Sequence, residues 1–167
     1  IPSDLNPADN EYFFVFDDPP SRRTILVAEG NEEVRPLELA ASIAADPTVK
    51  CEVEAVAAGQ LSSVRWEDVA LLLWQAPLPT GDTADMIKEF VDRGGRVVFF
   101  PPKLPTKDAI FDMSWTKWVE PPEPLRTESW WGDADLLART QSGAAVPVGE
   151  MLIRRYCGLY GEFTPLA

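Results

Sequence analysis

Four polar side chains follow apolar segments of strand length, and they are the residues of this sequence best placed for binding chemistry. In an open α/β sheet, the ligand crevice lies beyond the carboxyl ends of the strands. A carboxylate, two amides and an ammonium group near one such crevice could together bind a polar ligand. The ligand-binding candidates are Glu29, Asn31, Gln75 and Lys103.

Nucleophilic catalysis lacks its usual parts in this sequence. The chain contains no histidine, so the commonest general base, worth about 10²- to 10⁴-fold in rate, is missing. The turn after residues 97–100 consists of Pro101 and Pro102, which have a fixed φ and no N–H to stabilise an oxyanion. We therefore expect no catalytic residue.

The two cysteines leave one enzymatic alternative open. Cys51 and Cys157 both lie in apolar stretches, which is typical of buried structural thiols. In the alternative, Cys157 is a displaced nucleophile whose pKa is lowered by the neighbouring Arg154 or Arg155.

The loop at residues 29–33 does not favour a nucleotide or a metal. Its single glycine, Gly30, is surrounded by three glutamates, whose charge opposes the phosphate that a glycine-rich loop would bind. The loop also lacks the hydroxyl side chains that would join carboxylates around a hard cation. We expect no cofactor and no metal site.

Tryptophans are concentrated in the C-terminal third of the chain. Indole rings are frequent in protein interfaces and in sugar-binding surfaces, and they also cover hydrophobic cores. All three interpretations apply to this cluster: packing over the sheet, a surface for a partner protein, or a small-ligand site. The partner-surface candidates are Trp115, Trp118, Trp130 and Trp131.

Composition limits the class of partner. The chain has 167 residues and a formal net charge of -12, so its field repels nucleic acid. No stretch approaches the roughly 20 apolar residues of a membrane-spanning helix, so any membrane contact would be made by segments absent from this chain. Because the sequence begins with Ile1 and stops at Pro165-Leu166-Ala167, we expect it to be a piece of a longer protein.

The apolar segments predict an α/β domain with a mostly parallel, doubly wound, flavodoxin-like sheet. Strands are expected at residues 24–28, 51–56, 69–74 and 97–100, with 51–56 as an edge or half-exposed strand because it alternates polar and apolar residues. Helices are expected from Pro36 to Ala44, on a stripe that includes Leu37 and Ala40, and from a cap at Asp82 to Gly94. A short strand–helix–strand unit implies a right-handed parallel crossover between the last two strands.

The two ends of the chain are assigned differently. Residues 1–20 are expected to be a strand, at 11–16, and a linker from a preceding β module, and residues 21–167 form the α/β domain. From Lys103 onward the pattern is irregular and rich in proline and tryptophan, and we expect this part to be truncated. Within it, a short helix is predicted at 134–139 and a strand at 151–156.

Residues 85–100, with the sequence DMIKEFVDRGGRVVFF, resemble the class I glutamine amidotransferase-like superfamily. In that family a helix, a Gly-Gly pair and a hydrophobic strand lead to a reactive cysteine. The resemblance covers residues 24–102 and implies the flavodoxin-like fold. The chain departs from the family where Pro101 and Pro102 occupy the position of the nucleophile.

Residues 5–14 (LNPADNEYFF), Pro19-Pro20 and residues 23–27 resemble the extracytoplasmic part of aerotolerance-regulator-type bacterial membrane proteins. The resemblance implies a periplasmic location and a membrane anchor elsewhere in the protein. Pro101 and Pro102 occupy the nucleophile elbow, the sharp turn that carries the reactive residue in the amidotransferase-like family. Together with these prolines, the resemblance predicts a non-catalytic interaction or ligand-sensing domain, with a protein as partner. The alternatives are the hydrolase with Cys157 as nucleophile and a purely structural spacer.

Overall fold

The computed structural model describes residues 21–44, 48–129 and 143–162 of the chain. These ranges contain the strands β1 (Arg22–Ala28), β2 (Cys51–Ala55), β3 (Val69–Gln75), β4 (Arg96–Phe99), β5 (Ser114–Val119) and β6 (Tyr156–Tyr160). They also contain the helices α1 (Asn31–Ser42) and α2 (Gly81–Asp92) and short 3₁₀ helices at Ala58–Ser63, Trp66–Asp68 and Val148–Glu150.

The strands β1 to β4 form one parallel sheet in the order β2-β1-β3-β4. The predicted parallel pairing of the two last strands is confirmed, with Leu72 opposite Val97 and Trp74 opposite Phe99. The edge position predicted for β2 is also confirmed. The coarse prediction of an α/β domain with a mostly parallel sheet is therefore correct.

The main hydrophobic core lies between the sheet and α2. Ile25, Leu72 and Trp74 point from the central strands into a cluster with Ile87 and Phe90 of α2. Leu26 and Leu73 are also buried, but they lie on the opposite face because side chains alternate along a strand. On that face Leu26 lines a small cavity with Val34 of α1, so the two helices cover opposite faces of the sheet.

The helix α2 ends as the sequence predicts and begins differently. Gly94 has φ +91°, and its N–H donates to the Val91 carbonyl at 2.8 Å, which is the left-handed helix end expected of this glycine. The N-cap is Thr80, so the prediction that Asp82 caps the helix is wrong. Asp82 lies in the first turn, where its negative charge interacts favourably with the positive end of the helix dipole.

The helix α1 begins earlier than predicted. It starts at Asn31, directly after the extended residue Gly30, so that Pro36 lies inside the helix. The predicted start at Pro36 is wrong because the turn after β1 is tight and the backbone enters the helix at once. The helix ends at Ser42, before Ala44, where the Ser42 hydroxyl donates to the Leu39 carbonyl.

The predicted apolar stripe of α1 is only partly correct. Leu37 and Ala41 are half-buried against the sheet, whereas Ala40 is exposed. The helix phase is set by a start at Asn31, and this phase turns Ala40 toward solvent.

The segment after Lys103 is more regular than predicted. Strands β5 and β6 pair antiparallel, with Trp118 opposite Cys157 and Val119 opposite Tyr156. The strand predicted at 151–156 is misplaced, because the paired residues begin at Tyr156. Residues before it make a single isolated bridge, between Leu125 and Ile153.

A tight hairpin turn joins the end of the α/β unit to β5. Ile110 and Met113 exchange both backbone hydrogen bonds, at 3.1 and 3.0 Å. The two residues between them, Phe111 and Asp112, have φ values of +51° and +58°. Positive φ at both central residues is the signature of a type I′ turn, which normally uses asparagine and glycine.

Replacing Asp112 with glycine is expected to raise the free energy of unfolding by about 0.5–1 kcal/mol, because glycine adopts a positive φ without strain. Chemical denaturation followed by circular dichroism measures the change. Lys107→Gly serves as the control, since Lys107 is exposed and is not among the positive-φ residues. The control is expected to lose about 0.4–1 kcal/mol through the greater freedom of its unfolded chain. Equal losses in both variants would contradict the argument.

Several predicted features lie outside the described residues. These are the strand at 11–16, the helix at 134–139, and the candidates Trp130 and Trp131.

Candidate functional site

The carboxyl ends of β3 and β4 border a cleft of about 230 Å³. Its floor is formed by Phe100, Pro101 and Pro102, and its walls include Trp118 and Arg155. Gln75 and Lys103, two of the four ligand-binding candidates, also line it. We call this site the diproline cleft.

Glu29, the third candidate, is tied to the rim of the diproline cleft. Its carboxylate Oε2 accepts a hydrogen bond from the backbone N–H of Lys103 at 3.1 Å. Its own N–H donates to the Gln75 carbonyl at 3.2 Å. The ends of β1, β3 and β4 are therefore linked at one edge of the sheet, as the parallel arrangement requires.

Asn31, the fourth candidate, is the first residue of α1. It follows Glu29 by two positions along the chain. The structure thus brings Glu29, Gln75 and Lys103 together at one edge of the sheet and places Asn31 at the start of the helix.

The diproline turn is anchored by backbone and side-chain hydrogen bonds. The Phe100 N–H donates to the Trp74 carbonyl at 2.8 Å, which continues the parallel pairing past β4. Pro102 is fully buried, and its carbonyl accepts a hydrogen bond from the Trp118 indole Nε1 at 2.9 Å. The turn that follows β4 is therefore fixed in position by a residue sixteen positions further along the chain.

Trp118 and Arg155 form a stacked pair on one wall. The guanidinium carbon of Arg155 lies 4.6 Å from the centroid of the Trp118 ring, a geometry that favours a cation over an indole face. Arg155 is exposed, and no carboxylate of the described residues lies within ion-pair distance of it.

The side-chain amide of Gln75 is incompletely satisfied. Its Oε1 atom is buried and accepts no hydrogen bond from the described residues. A buried acceptor without a donor costs about 1–3 kcal/mol. Because the atom is buried, a ligand in the cleft does not reach it while the Gln75 side chain keeps this position.

The other described tryptophan candidate has a different environment. Trp115 packs against the hydrophobic core beside Ile110, and its buried Nε1 has no partner among the described residues. Of the four tryptophan candidates, Trp118 is the one that the described part of the structure places in the diproline cleft.

A second and larger hollow, of about 810 Å³, lies beside the 110–113 hairpin. Phe111, Asp112, Tyr160 and Glu162 line it. Both of its carboxylates are exposed, and the lining residues that the structure describes include no cation. It therefore offers a ligand fewer kinds of polar and charged group than the diproline cleft does.

The Cys157 thiol is held by its neighbour across the β5–β6 ladder. Its Sγ donates to the Thr116 carbonyl at 3.0 Å, and the Thr116 hydroxyl accepts the Gly158 N–H at 2.9 Å. Burial raises the pKa of the Cys157 thiol above its ordinary value, against a smaller opposing effect of the Thr116 hydrogen bonds. A raised pKa reduces the fraction of reactive thiolate at neutral pH.

Alkylation of Cys157 by iodoacetamide is expected to rise with pH at a higher midpoint in the folded chain than in the same chain unfolded in urea. The assay uses the Cys51→Ser variant, so that one thiol remains. Because folding raises the pKa of Cys157, the neutral thiol stabilises the folded chain. This contribution to the free energy of unfolding is fully present below the pKa of the unfolded chain and is lost as the pH rises through the pKa of the folded chain. A lower midpoint in the folded chain would contradict this and would favour the displaced-nucleophile alternative.

Sequence reasoning did not identify Arg155 as a residue of the cleft. It considered this arginine only as a neighbour that lowers the pKa of Cys157, whereas the structure places its guanidinium on Trp118. The pairing of β5 with β6 causes this placement, and the aromatic and β-branched residues within Ser114–Val119 were the available signal of a strand there.

Metal and membrane features were searched in the same ranges. No group of three or more histidine, cysteine, aspartate or glutamate side chains in residues 21–44, 48–129 and 143–162 could hold a metal ion. Neither helix of these ranges is long and apolar enough to cross a membrane.

Comparisons with known proteins identify no relative of this chain. No family model matches the chain, and no curated protein or solved structure matches it either.

Proposed function

We propose that this chain is a non-catalytic interaction or ligand-sensing module whose binding site is the diproline cleft. The observation that carries the proposal is the stacking of Arg155 on Trp118, with Trp118 itself fixed to the Pro102 carbonyl. Tryptophan and arginine are the residues that most often dominate binding energy in interfaces. They stand here at the sheet edge where α/β proteins bind ligands.

The strand order supports a more specific fold assignment. The order β2-β1-β3-β4 matches the first four strands of the flavodoxin-like order. We therefore propose a flavodoxin-like domain, and we keep the resemblance of residues 24–102 to class I glutamine amidotransferases as part of this proposal.

The environment of the possible nucleophiles supports a non-catalytic role. Pro101 and Pro102 follow β4 at the elbow, and the buried Pro102 uses its carbonyl to hold Trp118. Cys157 donates its proton to a backbone carbonyl, and burial raises its pKa. An activated thiol requires the opposite shift.

The cellular setting is proposed from the sequence resemblance alone. Residues 5–27 resemble the extracytoplasmic part of aerotolerance-regulator-type membrane proteins. We propose that this chain is held in the periplasm by a membrane anchor elsewhere in its protein, and that its partner is another protein.

A hydrolysis assay tests the non-catalytic part of the proposal. The full chain is incubated with glutamine and with a chromogenic amide, and product is compared with that of Cys51→Ala and Cys157→Ala variants. We expect all three proteins to release product at the uncatalysed rate. A rate that is abolished by Cys157→Ala would overturn the proposal in favour of the hydrolase.

A binding screen tests the site. The full chain, labelled with ¹⁵N, is titrated separately with small carboxylates, amines, sugars and neutral amides. The Trp118 indole N–H resonance, assigned from a Trp118→Phe variant, reports on the cleft. We expect at least one chemical class to shift it saturably. If no class shifts it, the structural-spacer alternative replaces the proposed function.

A further inference from the structure

We propose that the diproline cleft recognises the C-terminal carboxylate of a partner protein chain, with Arg155 as the carboxylate-binding residue. The inference rests on the proposed function and names the ligand class of that same site.

The first argument is the state of the Arg155 guanidinium. Its central carbon lies 4.6 Å from the centroid of the Trp118 ring, and that ring is held in turn by its hydrogen bond to the Pro102 carbonyl. An arginine held in this way has lost part of its side-chain freedom before a ligand arrives, so binding costs less entropy. Its N–H fork matches the two oxygens of a carboxylate.

The second argument is charge. The chain carries 27 acidic and 15 basic residues, yet Arg155 has no carboxylate partner among the described residues. Lys103 also lines the cleft, and the Glu29 carboxylate at the rim accepts the Lys103 backbone N–H. Arg155 is thus a cation without a carboxylate partner among the described residues of a strongly acidic protein.

The third argument is the distribution of polar and apolar groups in the cleft. Phe100 and Pro101 give the lining apolar surface, Pro101 and Pro102 have no N–H donor, and the Pro102 carbonyl is already used. A ligand that complements this arrangement carries a carboxylate for Arg155 and a small apolar group for Phe100 and Pro101.

The last residue of a peptide has both features. Its terminal carboxylate and its side chain lie on one α-carbon. The cleft, at about 230 Å³, is smaller than the roughly 300–1,000 Å³ of a pocket for a drug-sized molecule. Its size therefore fits one terminal residue, with the rest of the partner chain outside.

The test titrates the full chain with acetyl-alanine, acetyl-leucine and acetyl-phenylalanine and with the corresponding C-terminal carboxamides. The Trp118 indole resonance and the backbone resonances of Gln75 and Lys103 report binding. We expect each carboxylate to bind about tenfold or more tightly than its carboxamide, because a charge-assisted bidentate contact is lost in the amide. Equal binding of both forms, or no shift up to the solubility limit, overturns the inference.

Two matched variants locate the effect. Arg155→Gln is expected to abolish the preference for the carboxylate, whereas Arg154→Gln is expected to retain it, because Arg154 is exposed and does not line the cleft. Both replaced side chains are exposed, and circular dichroism checks that both variants fold. An unchanged preference in Arg155→Gln overturns the inference.

Free amino acids distinguish the source of the carboxylate. Free alanine and leucine carry an ammonium in place of the acylated N–H, and we expect them to bind more weakly than the acetylated forms. Tighter binding of the free amino acids would overturn recognition of a chain end.

Failure of this inference differs from failure of the proposed function. If amines or sugars shift the Trp118 resonance and carboxylates do not, the binding module stands and the ligand class is wrong. If no chemical class shifts it, or if hydrolysis depends on Cys157, the proposed function itself fails.

Discussion

Replacing Trp74 with alanine is expected to lower the free energy of unfolding by about 3–5 kcal/mol, the largest effect of any substitution considered for this chain. Trp74 is 1% exposed in the central strand β3 and belongs to the core between the sheet and α2. The loss has two components, the cavity left by the ring and the hydrogen bonds of its indole. Urea denaturation followed by circular dichroism measures the total.

The hydrogen-bond component can be separated with a conservative variant. The Trp74 Nε1 donates to the carbonyls of Ala76 and Pro77 at 3.1 and 3.0 Å. Trp74→Phe keeps much of the ring but leaves these acceptors without their donor, at a cost of about 1–3 kcal/mol.

Trp115→Phe is the matched control for this separation. It removes the same atoms from a tryptophan whose Nε1 has no partner among the described residues. We expect it to cost less than Trp74→Phe, because no hydrogen bond is broken. Equal costs for the two substitutions would show that ring volume, rather than hydrogen bonding, explains the Trp74 result.

Replacing Gly95 with alanine is expected to cost about 1–3 kcal/mol through overpacking. A Cβ atom at this position would lie 2.4 Å from two carbons of the Phe90 ring. That ring is 4% exposed and packs on Trp66 with 5.0 Å between the ring centroids. Because the ring is confined on both sides, either the α2–β4 turn or the core must move.

Two further variants test that explanation with the same denaturation assay. Gly59→Ala adds a methyl group where no atom lies within 4 Å, and we expect a change within about 0.5 kcal/mol. In a Phe90→Leu background, Gly95→Ala should cost less than in the wild type, because the flat ring is gone. An undiminished cost in that background would place the strain in the backbone instead.

The parallel sheet could be predicted because its determinants are local. The central strands are short, continuous apolar runs, and Gly94 marks the end of α2 with a positive φ that few other residues tolerate. The start of α1 could not be predicted from Pro36, because proline is common in a first helical turn and its presence further inside is set by the tight turn at Gly30.

Some residues of the candidate site could be predicted from the sequence, and others could not. The rule that ligands bind at the carboxyl ends of parallel strands identified Glu29, Gln75 and Lys103, and the structure links these residues at one edge of the sheet. Arg155 and Trp118 are 37 positions apart (155 − 118), and nothing local to either residue indicates that they stack.

The sequence by itself determined the four strands of the parallel sheet and the pairing of β3 with β4, because apolar periodicity and glycine conformation act within a few residues. Only the tertiary structure decided the composition of the cleft. The antiparallel return of β6 onto β5 brings an arginine over a tryptophan, and the tryptophan reaches back to Pro102. Such contacts depend on register between distant strands, which is fixed by packing of the whole domain rather than by local pattern.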